Sequence, residues 1–387
     1  MNITKKQRNS NLELLRIIAL LFIVAHHFAV HGFGSSGSFD EVNFIIANSN
    51  NYLIYFLGML GKIGVDVFVI ISAYFMINSK FTFKKLLRLG GEVYFYSIMF
   101  LIIFSTVLFP AIPIGLGDVL ISILPISKSN YWFITCYIVL MLLSPFLNKF
   151  IKELSRGTFL KLLLLLIFIW SIYPTFFGTT FGYSQMSWFI VLYLIGSFIN
   201  LHLDMNKINY KKILIVLIAS FTLTYLASAI FGNLWLLFDI TNSFSVEITF
   251  TTIYTYFTTE NKFLILAISV VLFLIFLKRK EFSNKYINYI AGSALGVYLI
   301  HDNVFVRPYL WKYLLNIPSY YSSPNLVLVA VISIIGVYLI CSGIDIIRRL
   351  TIEKAWIWII DNKLNNIPNW FYAKFNLYSD KFRYYLK

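Results

Sequence analysis

At 387 residues, 59% hydrophobic and only 13% charged, with mean hydropathy +0.77, the chain lies far from a soluble domain, which is about a quarter charged. Long apolar runs recur along its whole length and exclude one globular core, so it reads as an all-α polytopic membrane protein. The net charge of +15 would raise nucleic acid as a partner of a soluble protein; here the basic residues sit in short segments between apolar runs. They point to membrane lipid headgroups and phosphate-rich ligands, not to nucleic acid.

A bundle of about ten transmembrane helices accounts for the hydropathy, with spans near 12–30, 54–77, 91–109, 131–148, 161–177, 185–200, 212–232, 262–277, 286–303 and 325–347. With the N-terminus inside, the intervening cytoplasmic segments hold 27 of the 32 Lys and Arg residues, so both termini are expected to be cytoplasmic. The first span follows Lys5, Lys6 and Arg8 and is too long for a typical signal-peptide core, so a retained signal anchor is expected. Residues 110–130, with Pro110, Pro113 and Pro125, read as an external loop that dips back into the protein. Residues 233–261, interrupted by Asp239, Asn242 and Glu247, read as external or re-entrant, with a further span as the alternative. Cys136 and Cys341 lie in apolar runs and read as packing residues. The expected organisation is one membrane domain, 1–350, and a cytoplasmic tail, 351–387, in which Trp356, Trp358, Trp370 and Phe371 beside lysines mark an interfacial helix.

The first span carries the chemistry. Arg16 and His27 are eleven residues apart, roughly 16 Å of helix and about 1100° of rotation, so they fall within about 20° of one face. Ionisable groups inside a span are costly and mark candidate functional sites. Arg16 alone would read as a cation snorkelling to the headgroups; paired with His27 on one stripe it reads as a bidentate anchor for phosphate. Glu13, three residues earlier, is close enough to pair with it. His27 is the candidate general base, or a nucleophile forming an acyl-imidazole; sequence alone leaves both routes open. His26 points about 80–100° away and reads as a neighbour, and His31 as a loop residue.

The ordered pattern of Glu13, Arg16, ten residues and His27, then GVDVFVIISAYFMI at 64–77, KKLLRL at 84–89, YWFITCYIVLMLLSPFLNKFI at 131–151, WFIVLYLIGSFI at 188–199 and LGVYLIHDNVFVRPYLW at 295–311, resembles the membrane acyltransferase-3 family over essentially the whole chain. The resemblance implies a bacterial plasma-membrane enzyme that moves an acyl group, commonly acetyl from acetyl-CoA, to a carbohydrate or other surface acceptor. The chain has Ser72–Ala73 where the family usually has Ser-Gly, so the glycine that permits a close backbone approach is missing there. Glu13 stands where the family often has Asp. Glu92 falls where a neutral polar residue is expected, and the pattern offers no reason for it.

Acetyl-CoA is elongated, with phosphates at one end and the thioester at the other. Arg16 with Lys84, Lys85 and Arg88 would hold the phosphates, and Ser72 and Tyr74 are the further candidates for the donor site. Asp66 could orient His27 or hold an acceptor hydroxyl. His301 and Asp302, at the external end of the ninth span, are the best candidates for acceptor contact, and Trp132 could stack on a sugar. Trp132 and Trp188 also fit an interfacial aromatic belt; Arg307 and Lys312 could attract an anionic acceptor or its phosphate carrier, and read first as solvated loop charges. Asp345 could pair with Arg348 or Arg349. No Walker loop, dinucleotide fingerprint, zinc-ligand spacing or nucleophile elbow is present, so no metal is expected. The reading is an O-acetyltransferase of a surface polysaccharide or its lipid-linked precursor. The alternatives are a glycan transporter or flippase, and a succinyl or other acyl transferase on the same architecture.

Overall fold

The computed structural model describes residues 8–34, 49–107, 114–179, 181–238 and 256–363, and among these every regular element is a helix. Asn9 caps the first by accepting from the Asn11 backbone N–H at 3.0 Å, which fixes the start of α1, Ser10–Ala29. The helix then widens into a π-helical turn, Val30–Gly34. There follow α2 (Asn50–Met76), α3 (Phe83–Thr106), α4 (Leu116–Ile123) and α5 (Trp132–Glu153). Next, α6 (Arg156–Ile167) runs through a π-helical turn into α7 (Tyr173–Phe177), and then come α8 (Gln185–His202), α9 (Tyr210–Phe238) and α10 (Phe263–Lys278). The last third holds α11 (Lys285–Ala291), α12 (Ala294–His301), α13 (Val306–Pro308), α14 (Leu326–Leu350) and α15 (Ile352–Asn362).

Among the described residues eight helical stretches are long and apolar enough to cross a membrane, and α10 is a shorter apolar helix. The expected span at 286–303 is instead two short helices, α11 and α12, parted at Gly292–Ser293. The break is held by Arg349, which donates to the Tyr289 carbonyl at 2.9 Å and to Ser293 Oγ at 3.0 Å. The outward face of α14 carries Val327, Leu328, Ile332, Leu339 and Ile340, all exposed, while Ser333, Cys341, Ser342 and Asp345 are buried. Apolar outside with small and polar residues inside is the arrangement expected when lipid, not water, surrounds a bundle.

Helices α1 and α2 form the centre of the bundle. They approach at Gly61, where a Cβ would lie 2.3 Å from the Cβ of His26, so only glycine fits. The next close approach is between α2 and α8: a Cβ on Gly196 would meet the Ala73 Cβ and the Ile70 carbonyl oxygen at 2.7 Å. The glycine missing after Ser72 is thus supplied from the facing helix.

The basic segments gather at one end. Asn11 Nδ2 donates to the carbonyls of Arg279 and Lys280, Lys278 Nζ to the Met205 carbonyl, and Trp356 Nε1 to the Leu87 carbonyl. Beside them Arg348 reaches Asp345 Oδ1 at 2.8 Å and Glu92 Oε1 at 3.0 Å, with Tyr96 donating to the same Asp345 oxygen at 2.8 Å. Glu92 is therefore the partner of a buried arginine, and Asp345 pairs with Arg348, not Arg349.

Of the expected loops, α4 lies within 110–130 and packs back on α3, Ser97 Oγ donating to the Ser122 carbonyl at 2.9 Å; Pro110 and Pro113 lie outside the described residues. Residues 239–255 also lie outside them. The segment 256–262 returns into the bundle: Glu260, Asn261 and Lys262 are buried, and Lys262 Nζ donates to the Pro174 carbonyl at 2.8 Å. Of the tail aromatics, Trp356 docks on α3, Trp358 is exposed, and Trp370 and Phe371 lie outside the described residues. Cys341 is buried and Cys136 half-buried, both as free thiols.

Candidate active site

Three helices contribute lining residues at helical spacing to a file of cavities. At one end His26 and His27 of α1, Gly61, Lys62 and Phe68 of α2, Trp132 and Phe133 of α5, and Leu295 and Tyr298 of α12 enclose a chamber of about 80 Å³. Toward the basic end Arg16 lines two clefts. One, of about 430 Å³, is shared with Arg8, Glu13, Tyr74 and Phe75; the other, of about 260 Å³, with Ser72, Lys80, Lys85 and Tyr137. No residue lines both the chamber and a cleft, so Arg16 and His27 do not share one cavity. On each helix, however, a chamber residue and a cleft residue are four apart: Leu20 and Arg16, Phe68 and Ser72, Phe133 and Tyr137. Four residues is one turn, about 6 Å. Phe133 of the chamber and Tyr137 of the cleft stack with centroids 6.1 Å apart.

Arg16 is oriented by Glu13, whose carboxylate accepts from Nη1 at 3.0 and 3.1 Å, and its guanidinium lies 5.8 Å from the Phe75 ring. Ser72 Oγ donates to its own helix at the Phe68 carbonyl, 2.9 Å away. Lys85 Nζ donates to the Lys80 carbonyl at 3.1 Å, and the residue lines the cleft. Of the other two expected phosphate ligands, Lys84 pairs with Asp361, and Arg88 is exposed and lines none of these cavities. The sequence missed Lys80 and Arg8, both lining the clefts with Arg16.

His27 sits in a cluster that α1 builds with the end of α12. Its Nδ1 is 2.8 Å from His301 Nε2 and 3.7 Å from Asp302 Oδ1. His31 is not in a loop: the π-helical turn carries it to 3.6 Å from the same carboxylate oxygen, with its ring 4.8 Å from that of His27. Arg307 is not a solvated charge either. Its Nε lies 2.9 Å from Asp302 Oδ1, and its Nη2 donates to the Asp302 carbonyl at 3.0 Å. His31 is one turn beyond His27, the signal that could have placed it. His26 lines the chamber too, its Nδ1 on the Gly58 carbonyl. Lys62 lines the chamber with both histidines, whereas the Asp302 carboxylate lies 3.7 Å from His27.

His301 and Asp302, expected at the acceptor, are thus joined to His27 and Arg307. Asp66 does not orient His27; it is fully buried and accepts from Trp188 Nε1 at 3.0 Å, so Trp188 is a core residue and not part of an interfacial belt. Trp132 does line the chamber. Beyond it the Lys62 ammonium meets Glu260 Oε2 at 3.0 Å, and Tyr183 donates to Glu260 Oε1 at 2.9 Å. Burial raises the Glu260 carboxyl, but Lys62 and these hydrogen bonds outweigh it and hold the group below its ordinary range. His27, His31 and Asp302 place one ligand atom each within 4.8 Å of one another, the reach of a metal ion. The Arg307 guanidinium already occupies the Asp302 oxygen and opposes a second cation there.

The model of the acyltransferase-3 family, described as an acyltransferase domain, matches residues 9–344. The chain belongs to that family. Searched against curated proteins and solved structures, this acyltransferase has no match. The matched segment begins at the cap of α1 and ends within α14, so every lining residue of the cavities except Arg8, and the whole histidine cluster, lies inside the acyltransferase domain.

Proposed function

We propose that this membrane acyltransferase transfers an acetyl group from cytosolic acetyl-CoA to a hydroxyl of a surface polysaccharide or its lipid-linked precursor, with the basic end of the bundle facing the cytoplasm. The observation that carries the reading is the one-turn separation of the Arg16 clefts from the His27 chamber on three helices at once. A donor with its phosphates on Arg16, Lys80 and Lys85 has its flexible arm directed along α1 toward the imidazole.

In the reaction, the acceptor hydroxyl oxygen attacks the thioester carbonyl carbon while His27 takes the hydroxyl proton. The tetrahedral intermediate then breaks its carbon–sulfur bond, and the CoA thiolate leaves and receives the same proton from the imidazolium. The ester forms, the thioester breaks, and His27 ends neutral. Asp302, 3.7 Å from His27 Nδ1, faces the positive charge while it exists. The chamber is about 80 Å³ with mostly apolar walls, a size that suits a two-carbon acyl group. Trp132 offers an aromatic face to a sugar ring beside it.

The test is release of free CoA from acetyl-CoA by the purified protein in lipid nanodiscs, with and without acceptor glycan. The expected result is acceptor-dependent release that His27→Ala abolishes while folding is kept. Glycan movement across a vesicle without CoA release would replace this reading with a transporter.

A further inference from the structure

We infer that His301 is a positioning residue for the base: it fixes the neutral tautomer of His27 with the proton on Nδ1, so that Nε2 is the atom that takes the acceptor proton. The inference rests on the proposed acyl transfer for its catalytic consequence, and on geometry alone for the tautomer.

The hydrogen bonds form a directed chain. His301 Nδ1 lies 2.6 Å from the Val297 carbonyl oxygen, one turn back on α12. A carbonyl oxygen can only accept, so His301 Nδ1 must carry hydrogen. In a neutral imidazole the other nitrogen is then a bare acceptor. That nitrogen, His301 Nε2, lies 2.8 Å from His27 Nδ1, so His27 Nδ1 must be the donor. Two neutral rings in a row leave one basic atom, His27 Nε2. His301 is fully buried, so water does not compete for either bond. The backbone at Val297 thus sets, through one intervening ring, which edge of His27 is reactive.

The chain also says how the positive charge is borne. When Nε2 takes the acceptor proton, Nδ1 keeps its own and still donates to His301, so no second proton moves. Asp302 Oδ1, at 3.7 Å from Nδ1, supplies the opposing charge and is itself held by Arg307. Asp302 and His301 divide between them the two tasks, charge and tautomer, that one carboxylate performs in a serine-protease triad.

The experiment pairs nitrogen NMR with kinetics. Protein labelled with ¹⁵N-histidine is reconstituted in nanodiscs, and the His27 signals are assigned by their loss in His27→Gln. The expected spectrum shows a protonated Nδ1 and a bare Nε2; a protonated Nε2 in the wild-type protein overturns the inference outright. His301→Leu removes the acceptor and His301→Gln restores an amide oxygen in reach of it. The expected result is that Leu lowers kcat on the order of 10²–10⁴-fold with the donor KM within about threefold, and mixes the tautomers, whereas Gln recovers at least about tenfold. Leu with an unchanged His27 tautomer overturns the inference, whatever its rate. A wild-type protein that shows the expected tautomer and no acyl transfer would sink the proposed reaction and leave the tautomer assignment standing.

Discussion

Arg307 places its Nε 2.9 Å from Asp302 Oδ1, the same oxygen that faces His27 and His31. The arginine fixes the position of a carboxylate that is almost fully buried, and in doing so fixes where the negative charge lies relative to His27, the proposed base. Arg307→Gln should therefore lower kcat by about ten- to a hundredfold, and Arg307→Lys less, because a point charge keeps attraction but loses the planar fork. The double variant with Asp302→Asn should be no slower than Asp302→Asn alone, since Arg307 acts only through that carboxylate. Steady-state CoA release across the four proteins checks this, and additive losses would detach Arg307 from the base.

At the opposite end of α1 the expected effect is on binding, not on the chemical step. Arg16→Lys should raise the donor KM about tenfold and leave the acceptor KM unchanged, because the proposed bidentate phosphate contact would be lost. Neutralising Lys80 and Lys85 should weaken donor binding further and reduce its dependence on salt. Isothermal titration with CoA, at two ionic strengths, measures both; equal loss for donor and acceptor would end the anchor role.

Gly196 and Ala73 are set so closely that the pair tests the packing of α2 on α8. Gly196→Ala puts a methyl 2.7 Å from both the Ala73 Cβ and the Ile70 carbonyl oxygen and should cost about 1–3 kcal/mol. Ala73→Gly in the same chain should recover part of that, as it relieves one of the two contacts. Thermal unfolding in detergent of the single and double variants gives the comparison.

The case of Ala73 shows what the sequence could and could not say. Spans were legible because the hydrophobic runs are long, and the family pattern because Glu13, Arg16 and His27 sit on one helix with their spacing in view. Which helix faces which was not: Gly196 compensates for Ala73 across 123 positions of chain, and Arg348 answers Glu92 from the other end of the protein. His301 and Asp302 were picked out as a site but given to the acceptor, because nothing in the sequence reports that α12 brings them against α1. Lys84 and Arg88 resembled phosphate ligands by charge alone, and the fold points Lys84 at Asp361 instead. The π-helical turn at Val30–Gly34 extends α1 past its expected end and carries His31 into the cluster.

The ion pair above the chamber gives a pH signature in stability. Glu260 titrates below its ordinary value near 4.5, so it contributes stability in full above that value, and the contribution is lost as pH falls below it. Glu260→Gln should remove this acid limb and, because it leaves the partly exposed Lys62 without its carboxylate, cost about 1–3 kcal/mol at neutral pH. Thermal midpoints measured from pH 3 to 7 for the two proteins should converge at the acid end; parallel curves would show that the pair does not report on folding.

Acyl-chain selectivity follows from the walls of the chamber. Phe68 and Phe133 line a space of about 80 Å³ next to His27, and both also stand one turn from residues of the Arg16 cleft, the proposed donor site. Removing one of these rings enlarges the space for a longer acyl chain. Shortening either ring to alanine should therefore open the site to butyryl-CoA, raising the ratio of its kcat/KM to that of acetyl-CoA by about tenfold or more, the range that one or two methylenes command in an apolar pocket. Phe133→Ala should do so at the greater loss of acetyl transfer, because its ring also stacks on Tyr137 of the cleft lining. Competition between the two thioesters in one assay measures the ratio directly. An unchanged ratio in both variants would mean that the acyl group is held elsewhere and that this chamber receives only the acceptor.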